Sequence, residues 1–243
     1  MRTKEYDLIV LGTGDAGQAV ALAAAKENWK VAIIEKKAIG GTCALWGCVP
    51  KKVLISGEEL ANFSQRMAAA GLSSKTAPDW SELMAFKHRL TRSFSQDSRS
   101  RLQKHGIDIY EGTPSFVGET AIRVSEVILQ GGNIHIATGA CPRPLGFPGE
   151  DLMTTSAEFL YLEELPQRLV FIGGGYISFE FAHLAARYGR SVTIIHRSAG
   201  VLKKFDPDLV ALLVGASEFL GTTVATNQTP VRIEKKRMNC WSS

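Results

Sequence analysis

The sequence predicts an α/β chain made of two three-layer units in succession, the second incomplete. Three observations carry this. A short apolar strand, a glycine-rich turn, an Ala-rich helix and a second apolar strand follow one another between Asp7 and Glu35. The same order recurs between Leu169 and His196. The two copies align without a gap at an offset of 161 residues, which puts Gly12 on Gly173, Gly14 on Gly175, Ala21 on Ala182 and Val31 on Val192.

Asp7–Leu11 reads as the first strand, Gly12-Thr13-Gly14-Asp15-Ala16-Gly17 as the turn, a helix follows to about Glu27, and Val31–Ile34 is the next strand. In this context the first glycine makes the turn, the second lets backbone approach a pyrophosphate, and the third packs helix on strand. The pyrophosphate sits on the helix N-terminus. Glu35 lies 23 residues after Gly12, where an acid accepts from a ribose hydroxyl. Both units are thus predicted as Rossmann-like ββα/βαβ nucleotide-binding domains, over residues 1–150 and 151–243. A glycine-rich turn before a merely packed helix is the plainer alternative.

Between the copies, Val53–Ala70 and Trp80–His105 read as helices. The second has Leu83, Phe86, Leu90, Phe94 and Leu102 near helical spacing. Short strands are expected at Ile107–Tyr110, Ser115–Phe116, Ala121–Val127 and Asn133–Ala137, with turns at Val117-Gly118 and Gly131-Gly132. Ala137-Thr138-Gly139 closes the unit, and a connection with Pro142, Pro144 and Pro148 follows.

The chemistry is concentrated in Gly40-Gly41-Thr42-Cys43-Ala44-Leu45-Trp46-Gly47-Cys48-Val49-Pro50-Lys51-Lys52. Cys48 falls at or near a helix start, with Lys51 and Lys52 three and four residues on. Helix dipole and cations both favour thiolate over thiol, and thiolate is the nucleophile of disulfide exchange. A structural disulfide or half a zinc site is the bland reading. Zinc pairs are more tightly spaced and come with a second pair, and Cys141 and Cys240 show no paired spacing, so no metal site is expected.

Composition excludes other classes. The hydrophobic fraction is 45% and the formal net charge +4, too mild and too scattered for a nucleic-acid partner. The basic residues of 80–105 are interleaved with acids and apolar residues, as on a solvated face. No run of eighteen apolar residues predicts a membrane span. The glycines after Leu11 break any signal-like run. Four cysteines without framework spacing suit a reducing compartment, and a cytoplasmic location is expected.

The stretch Gly40–Lys52 resembles the active site of the pyridine nucleotide-disulfide oxidoreductases, the group of glutathione reductase, dihydrolipoyl dehydrogenase, mercuric reductase and trypanothione reductase. The smaller thioredoxin reductases, with a C-x-x-C pair in the nicotinamide domain, are less similar. The resemblance implies FAD in the first unit and NAD(P) in the second. Electrons would pass from NADPH through FAD to the Cys43–Cys48 pair and on to a small disulfide such as glutathione disulfide. It implies Cys43 as the interchange thiol and Cys48 as the flavin-facing one. It implies contacts to FAD from Gly12, Gly14, Gly17, Glu35, Gly41, Thr42, Thr138 and Gly139. Tyr176 would cover the nicotinamide pocket, and Glu180 would pair with Lys51 or Lys52 near the flavin.

In the second unit the turn reads Gly173-Gly174-Gly175-Tyr176-Ile177-Ser178, with Ser178 replacing the third glycine. His196-Arg197 stands where an NAD site places an acid, and Lys203 and Lys204 follow. Cations there suit a 2′-phosphate, so NADPH is expected over NADH; surface cations are the alternative.

The resemblance covers Asp7 to about Glu234. A second flavin segment and the dimerisation domain, with its His-Pro and Glu pair, are not in the sequence; none of the five histidines precedes a proline. The chain is therefore expected to be a fragment with little turnover alone, the full-length form a homodimer. Dihydrolipoyl dehydrogenase and mercuric reductase are the neighbouring alternatives, and a non-catalytic dinucleotide-binding or thiol-sensing protein is the alternative of another class.

Overall fold

The computed structural model describes residues 2–68, 70–71 and 79–235. The described residues fall into two units, one built from the segments up to Val53 and from Ala85 to Cys141, the other from Leu54–Met84 and from Pro142 onward.

The first unit contains β1 (Arg2–Leu11), α1 (Asp15–Lys26), β2 (Val31–Glu35), α2 (Gly41–Trp46), the start of α3 (Cys48–Ala68), most of α4 (Trp80–Lys104), β3 (Asp108–Glu111), β4 (Ser115–Phe116), β5 (Ala121–Val124) and β6 (Val127–Ile136). The sheet order is β3-β2-β1-β6-β5-β4. β1 lies parallel to both β2 and β6, and β5 runs antiparallel to both β4 and β6. Strands buried on both faces need unbroken apolar runs, which Leu8–Leu11 and Val31–Ile34 supply. Leu8, Val10, Val31 and Ile33 pack with Ala21 of α1 and Leu102 of α4. Ile9, Leu11, Ala32 and Ile34 point the other way and pack with Ile122, Val124 and Leu129 of the antiparallel strands.

One local expectation is corrected. Gly131-Gly132 is not a turn. β6 runs straight through it, because pairing with β1 holds Tyr6 opposite Gly131 and Leu8 opposite Asn133. The reversal falls instead after Val124, where Ser125 takes φ +50 and splits the expected strand Ala121–Val127 in two. After Gly40 the chain forms the short helix Gly41–Trp46, so Cys43 is a helical residue.

The second unit holds the rest of α3 and the first turn of α4, α5 (Ser156–Phe159), β7 (Arg168–Ile172), α6 (Tyr176–Arg187), β8 (Ser191–His196), α7 (Pro207–Phe219) and β9 (Thr222–Thr226). The strands form a parallel sheet in the order β7-β8-β9. Phe179, Ala182 and Ala185 of α6 pack on Val192 and Ile194. On the far side of α6, Phe181 stacks on Phe159 at 4.4 Å, and Leu54, Trp80 and Met84 complete that core. Trp80 donates its indole N–H to Leu162 O at 2.8 Å, and the nearly buried Glu58 of α3 pairs with Arg187 of α6.

The repeat seen in the sequence holds at the level of single hydrogen bonds. Gly12 N–H donates to Ile34 O at 2.8 Å, and Gly173 N–H to Ile195 O at 2.9 Å. Past the helices, Trp29 N–H donates to Ala24 O and Arg190 N–H to Ala185 O, both at 3.1 Å. Leu8 lies opposite Val31, as Leu169 lies opposite Val192. Each pair is related by the same offset of 161 residues.

Candidate active site

In the first unit, three segments converge on the turn between β1 and α1. Gly12 takes φ +106, and a Cβ there would lie 2.3 Å from Ala137 O, so only glycine fits. Gly41 takes φ +73, and a Cβ on it would lie 2.4 Å from the Gly14 Cα, so the start of α2 rests directly on the glycine turn. Thr13, fully buried, links the pieces. Its hydroxyl donates to Glu35 Oε2 at 2.6 Å and accepts from Gly40 N–H at 3.1 Å, while its amide donates to the same Glu35 oxygen at 3.0 Å. The other Glu35 oxygen accepts from the Lys36 and Lys37 amides. Burial opposes ionisation of Glu35, but the hydrogen bonds from Thr13 and those amides outweigh it and hold the carboxyl below its usual range.

This arrangement positions the cysteines. Cys43 lies in α2, half-buried, and Cys48 opens α3, exposed; both are free thiols. Pro50 fits in the first turn of α3, where its missing N–H costs nothing. Cys43 neighbours Cys48, at the start of α3, and lies near the negative charge of Asp15 at the start of α1. The hydrogen bond to Cys48, then burial, then the neighbouring negative charge push Cys43 up to about 11. Lys51 is half-buried and Lys52 exposed in the next turn of α3. Thr138 and Gly139 are exposed just beyond β6, where Ala137 N–H donates to Leu11 O at 2.9 Å.

The N-terminus of α1 is free for an anion. Gly14 makes no side-chain cap hydrogen bond, so the first-turn amides lack the partner a Ser or Asp cap would supply. Gly175 leaves α6 uncapped in the same way. A pyrophosphate of a dinucleotide fits both: the uncapped amides attract it, and at Gly12 and Gly41 a side chain would fill the cradle.

In the second unit, the Gly174 N–H donates to His196 Nδ1 at 3.0 Å, and Gly174 O accepts from Leu202 N–H at 2.9 Å. Leu202 and Val201 are buried beneath that loop. The exposed Arg197, Lys203 and Lys204 are thereby tied to the glycine turn. Tyr176 and Ile177 are exposed in the first turn of α6, and Glu180 is half-buried one turn on. Thr13 and Asp15 were missed by sequence reasoning. Thr13 falls on Gly174 in the repeat, so comparing the copies gives no hint of it. Asp15 looks like an ordinary first-turn acid. Cys141 is an exposed free thiol, and Cys240 lies outside the described residues.

The model of the family "Pyridine nucleotide-disulphide oxidoreductase" matches residues 6–239. The chain belongs to that family. Pyridine nucleotide-disulphide oxidoreductases are FAD- and NAD(P)-dependent, with the Cys-x4-Cys redox pair that Cys43 and Cys48 reproduce. Among relatives of this family, mercuric reductase of Staphylococcus aureus is 32% identical over 96% of this chain and 44% of its own. Glutathione reductase of a Nostoc species is 35% identical over 85% of this chain and 45% of its own. Among solved structures, the Cu(II) complex of the HOCl-induced flavoprotein disulfide reductase RclA from Escherichia coli superposes with a TM-score of 0.85. It shares 27% identity and is covered over 96% of this chain and 52% of that one. The chain spans about half the length of these pyridine nucleotide-disulphide oxidoreductases. Among the described residues no helix is long and apolar enough to cross a membrane.

Proposed function

We propose that the chain carries the nucleotide-binding and thiol half of an NADPH-dependent reductase of small disulfides such as glutathione disulfide, homodimeric in its full-length form. Residues 1–150 form its FAD-binding domain and 151–243 its NADP-binding domain. The observation that carries this is the pair of free thiols, Cys43 and Cys48, set on two successive helices of which the first starts directly against the first glycine cradle, in a chain that contains the glycine turn twice.

FAD, when bound, supplies two-electron transfer between a nicotinamide and a thiol pair. The remaining steps belong to the chain. Gly12, Gly14, Gly17 and the α1 amides hold the pyrophosphate. Glu35, already ionised, accepts from a ribose hydroxyl. Gly41, Thr42, Thr138 and Gly139 border the same nucleotide, and Lys51 or Lys52 sets the field near its ring. Cys43, after giving up its proton, attacks one sulfur of the substrate disulfide and releases the other as a thiol. The Cys48 thiolate then attacks Cys43 Sγ and expels the second half of the substrate as a thiolate, which takes up a proton to become the second thiol. One substrate disulfide becomes two thiols, and Cys43–Cys48 becomes the disulfide.

The second cradle favours NADP. Because Nδ1 of His196 accepts from Gly174 N–H, the neutral ring carries its proton on Nε2 and presents a donor. Arg197 and Lys203 add positive charge beside it, and Gly173, Gly175, Tyr176 and Ile177 border the rest of the nucleotide. A dihydrolipoyl dehydrogenase reading would want a carboxylate at 196. A second reading replaces the disulfide by a soft metal ion as substrate. Two neighbouring thiols suit such an ion, and the relatives include a mercuric reductase and the Cu(II) complex of a flavoprotein reductase.

Reconstitution with FAD tests the proposal. A yellow protein that gains a long-wavelength band on two-electron reduction, a band lost in Cys48→Ser, supports it. A colourless protein overturns it.

A further inference from the structure

The N–H and hydroxyl of Thr13 are spent on Glu35 and Gly40, and its carbonyl has a partner of its own. Gln18, nearly buried in α1, donates its side-chain N–H to Thr13 O at 2.7 Å. The side-chain oxygen of Gln18 accepts from the Arg101 guanidinium of α4. A guanidinium only donates and a backbone carbonyl only accepts, so the amide bridging them has one orientation. The disulfide chemistry makes no use of this chain of bonds.

We propose that Gln18, backed by Arg101, is a positioning residue that selects the orientation of the Thr13–Gly14 peptide and so sets the affinity of the first cradle for FAD. That peptide is trans, and in a trans peptide the C=O and the following N–H point to opposite sides. Holding Thr13 O on Gln18 therefore turns the Gly14 N–H away from Gln18. The Gly14 nitrogen lies 3.1 Å from the place a Cβ on Gly41 would take, so it borders the cradle. Local conformation does not enforce this orientation. Turning the peptide over would take Gly14 from φ −70 to about +110, which glycine tolerates. A carbonyl oxygen would then stand where the N–H stood and repel a diphosphate instead of binding it. Gly14 permits both orientations, and the Gln18 amide stabilises the one that donates. Arg101 acts through Gln18, holding its oxygen so that the N–H is left for Thr13. This rests on the reading of the first unit as a FAD site and adds the residue that aims one of its donors.

The sequence contains two Thr-Gly pairs, Thr13-Gly14 and Thr138-Gly139. The 243-residue chain labelled with carbon-13 at threonine carbonyls and nitrogen-15 at glycine therefore gives two carbonyl–amide NMR cross-peaks, one from the peptide in question and one as control. FAD binding is read by quenching of flavin fluorescence. Gln18→Met keeps the length and removes the donor. Gln18→Glu keeps a partner for Arg101 and sets a carboxylate oxygen against Thr13 O. In both ligand-free variants the Thr13-Gly14 cross-peak is expected to move while the control stays in place. FAD affinity is expected to fall about tenfold in Gln18→Met and further in Gln18→Glu. A residue that merely tied α1 to α4 would give the reverse order, because the carboxylate keeps its bond to Arg101. Arg101→Ala, at an exposed side chain, is expected to move the same cross-peak and to weaken FAD about threefold. An unmoved Thr13-Gly14 cross-peak in the Gln18 variants overturns the proposal, as does a Met variant that binds FAD more weakly than the Glu variant. Where the Gln18 variants do not fold, an unmoved cross-peak in Arg101→Ala overturns it instead. Equal FAD binding by all four chains sinks only the role of Gln18; a moved cross-peak in chains that bind no FAD sinks only the flavoenzyme reading.

Discussion

The Gly174 amide donates to His196 Nδ1 at 3.0 Å, where 161 residues earlier the Thr13 amide donates to Glu35 Oε2 at the same distance. One backbone position in each unit thus orients the side chain at the end of the second strand. In the first unit that side chain is a carboxylate held ionised; in the second it is an imidazole next to Arg197. A carboxylate at 196 would still accept from Gly174 N–H but would repel a 2′-phosphate. His196→Glu is therefore expected to weaken binding of 2′,5′-ADP about tenfold or more, ~1.4 kcal/mol, and to leave 5′-ADP nearly unchanged. Calorimetric titration of the two nucleotides checks this, and equal weakening of both refutes the assignment.

Thr13 joins β1, β2 and the cysteine-bearing loop through one hydroxyl. Thr13→Val keeps the shape but leaves the Gly40 amide without its acceptor and removes one donor from Glu35. Leaving a buried polar group unpaired costs about 1–3 kcal/mol, and two groups are affected. The expected loss of stability is about 2–4 kcal/mol in urea unfolding, with Thr13→Ser close to the original chain. Equal stability of the Val and Ser variants would show that the hydroxyl does not couple the segments.

The βαβ units, their glycine turns and the thiol pair were legible because each is a local pattern. Strand runs, turn glycines and cysteine spacing are written in consecutive residues. Two features were not. The short helix Gly41–Trp46 depends on Gly41 resting against Gly14, a long-range contact. The strand through Gly131-Gly132 is set by pairing with β1, which overrides the turn preference of two glycines. What sequence periodicity leaves unread is where segments far apart in the chain come to touch.

Gly12 and Gly173 separate conformational strain from crowding. They share the left-handed backbone, φ +106 and +114, and the same place in the repeat. A Cβ on Gly12 would strike Ala137 O at 2.3 Å, whereas one on Gly173 meets nothing within 4 Å. The difference arises because β6 lies beside β1, while among the described residues β7 pairs only with β8. Gly173→Ala is expected to cost about 1–2 kcal/mol, the backbone term alone. Gly12→Ala adds a clash with main chain and is expected to cost more than about 4 kcal/mol or to prevent folding. Denaturant midpoints of the two variants decide the matter, and equal costs would show that the contact with Ala137 relaxes freely.

Lys87 gives the pH dependence of stability a predicted sign. It lies on α4 with no exposed surface, and burial lowers its pKa to about 8 from 10.5. The folded chain therefore binds this proton more weakly than the unfolded chain does. Above the unfolded value both states are neutral at this site and no penalty applies. As pH falls from about 10.5 to 8 the unfolded state gains a proton that the folded state resists, and the penalty reaches its full size below about pH 8. Lys87→Met removes the titration while keeping an unbranched side chain of similar length. The stability difference, Met variant minus Lys, is expected to become less favourable to Met by about 1–3 kcal/mol on going from near neutral pH to beyond the unfolded lysine value. Taking the difference between the two chains cancels the opposing contributions of Cys43 and Tyr6, whose raised pKa values favour the folded state at low pH and withdraw that support as pH rises. Urea midpoints of both chains across this range supply the measurement, and a difference that stays constant with pH would mean that Lys87 keeps its ordinary proton affinity in the folded chain.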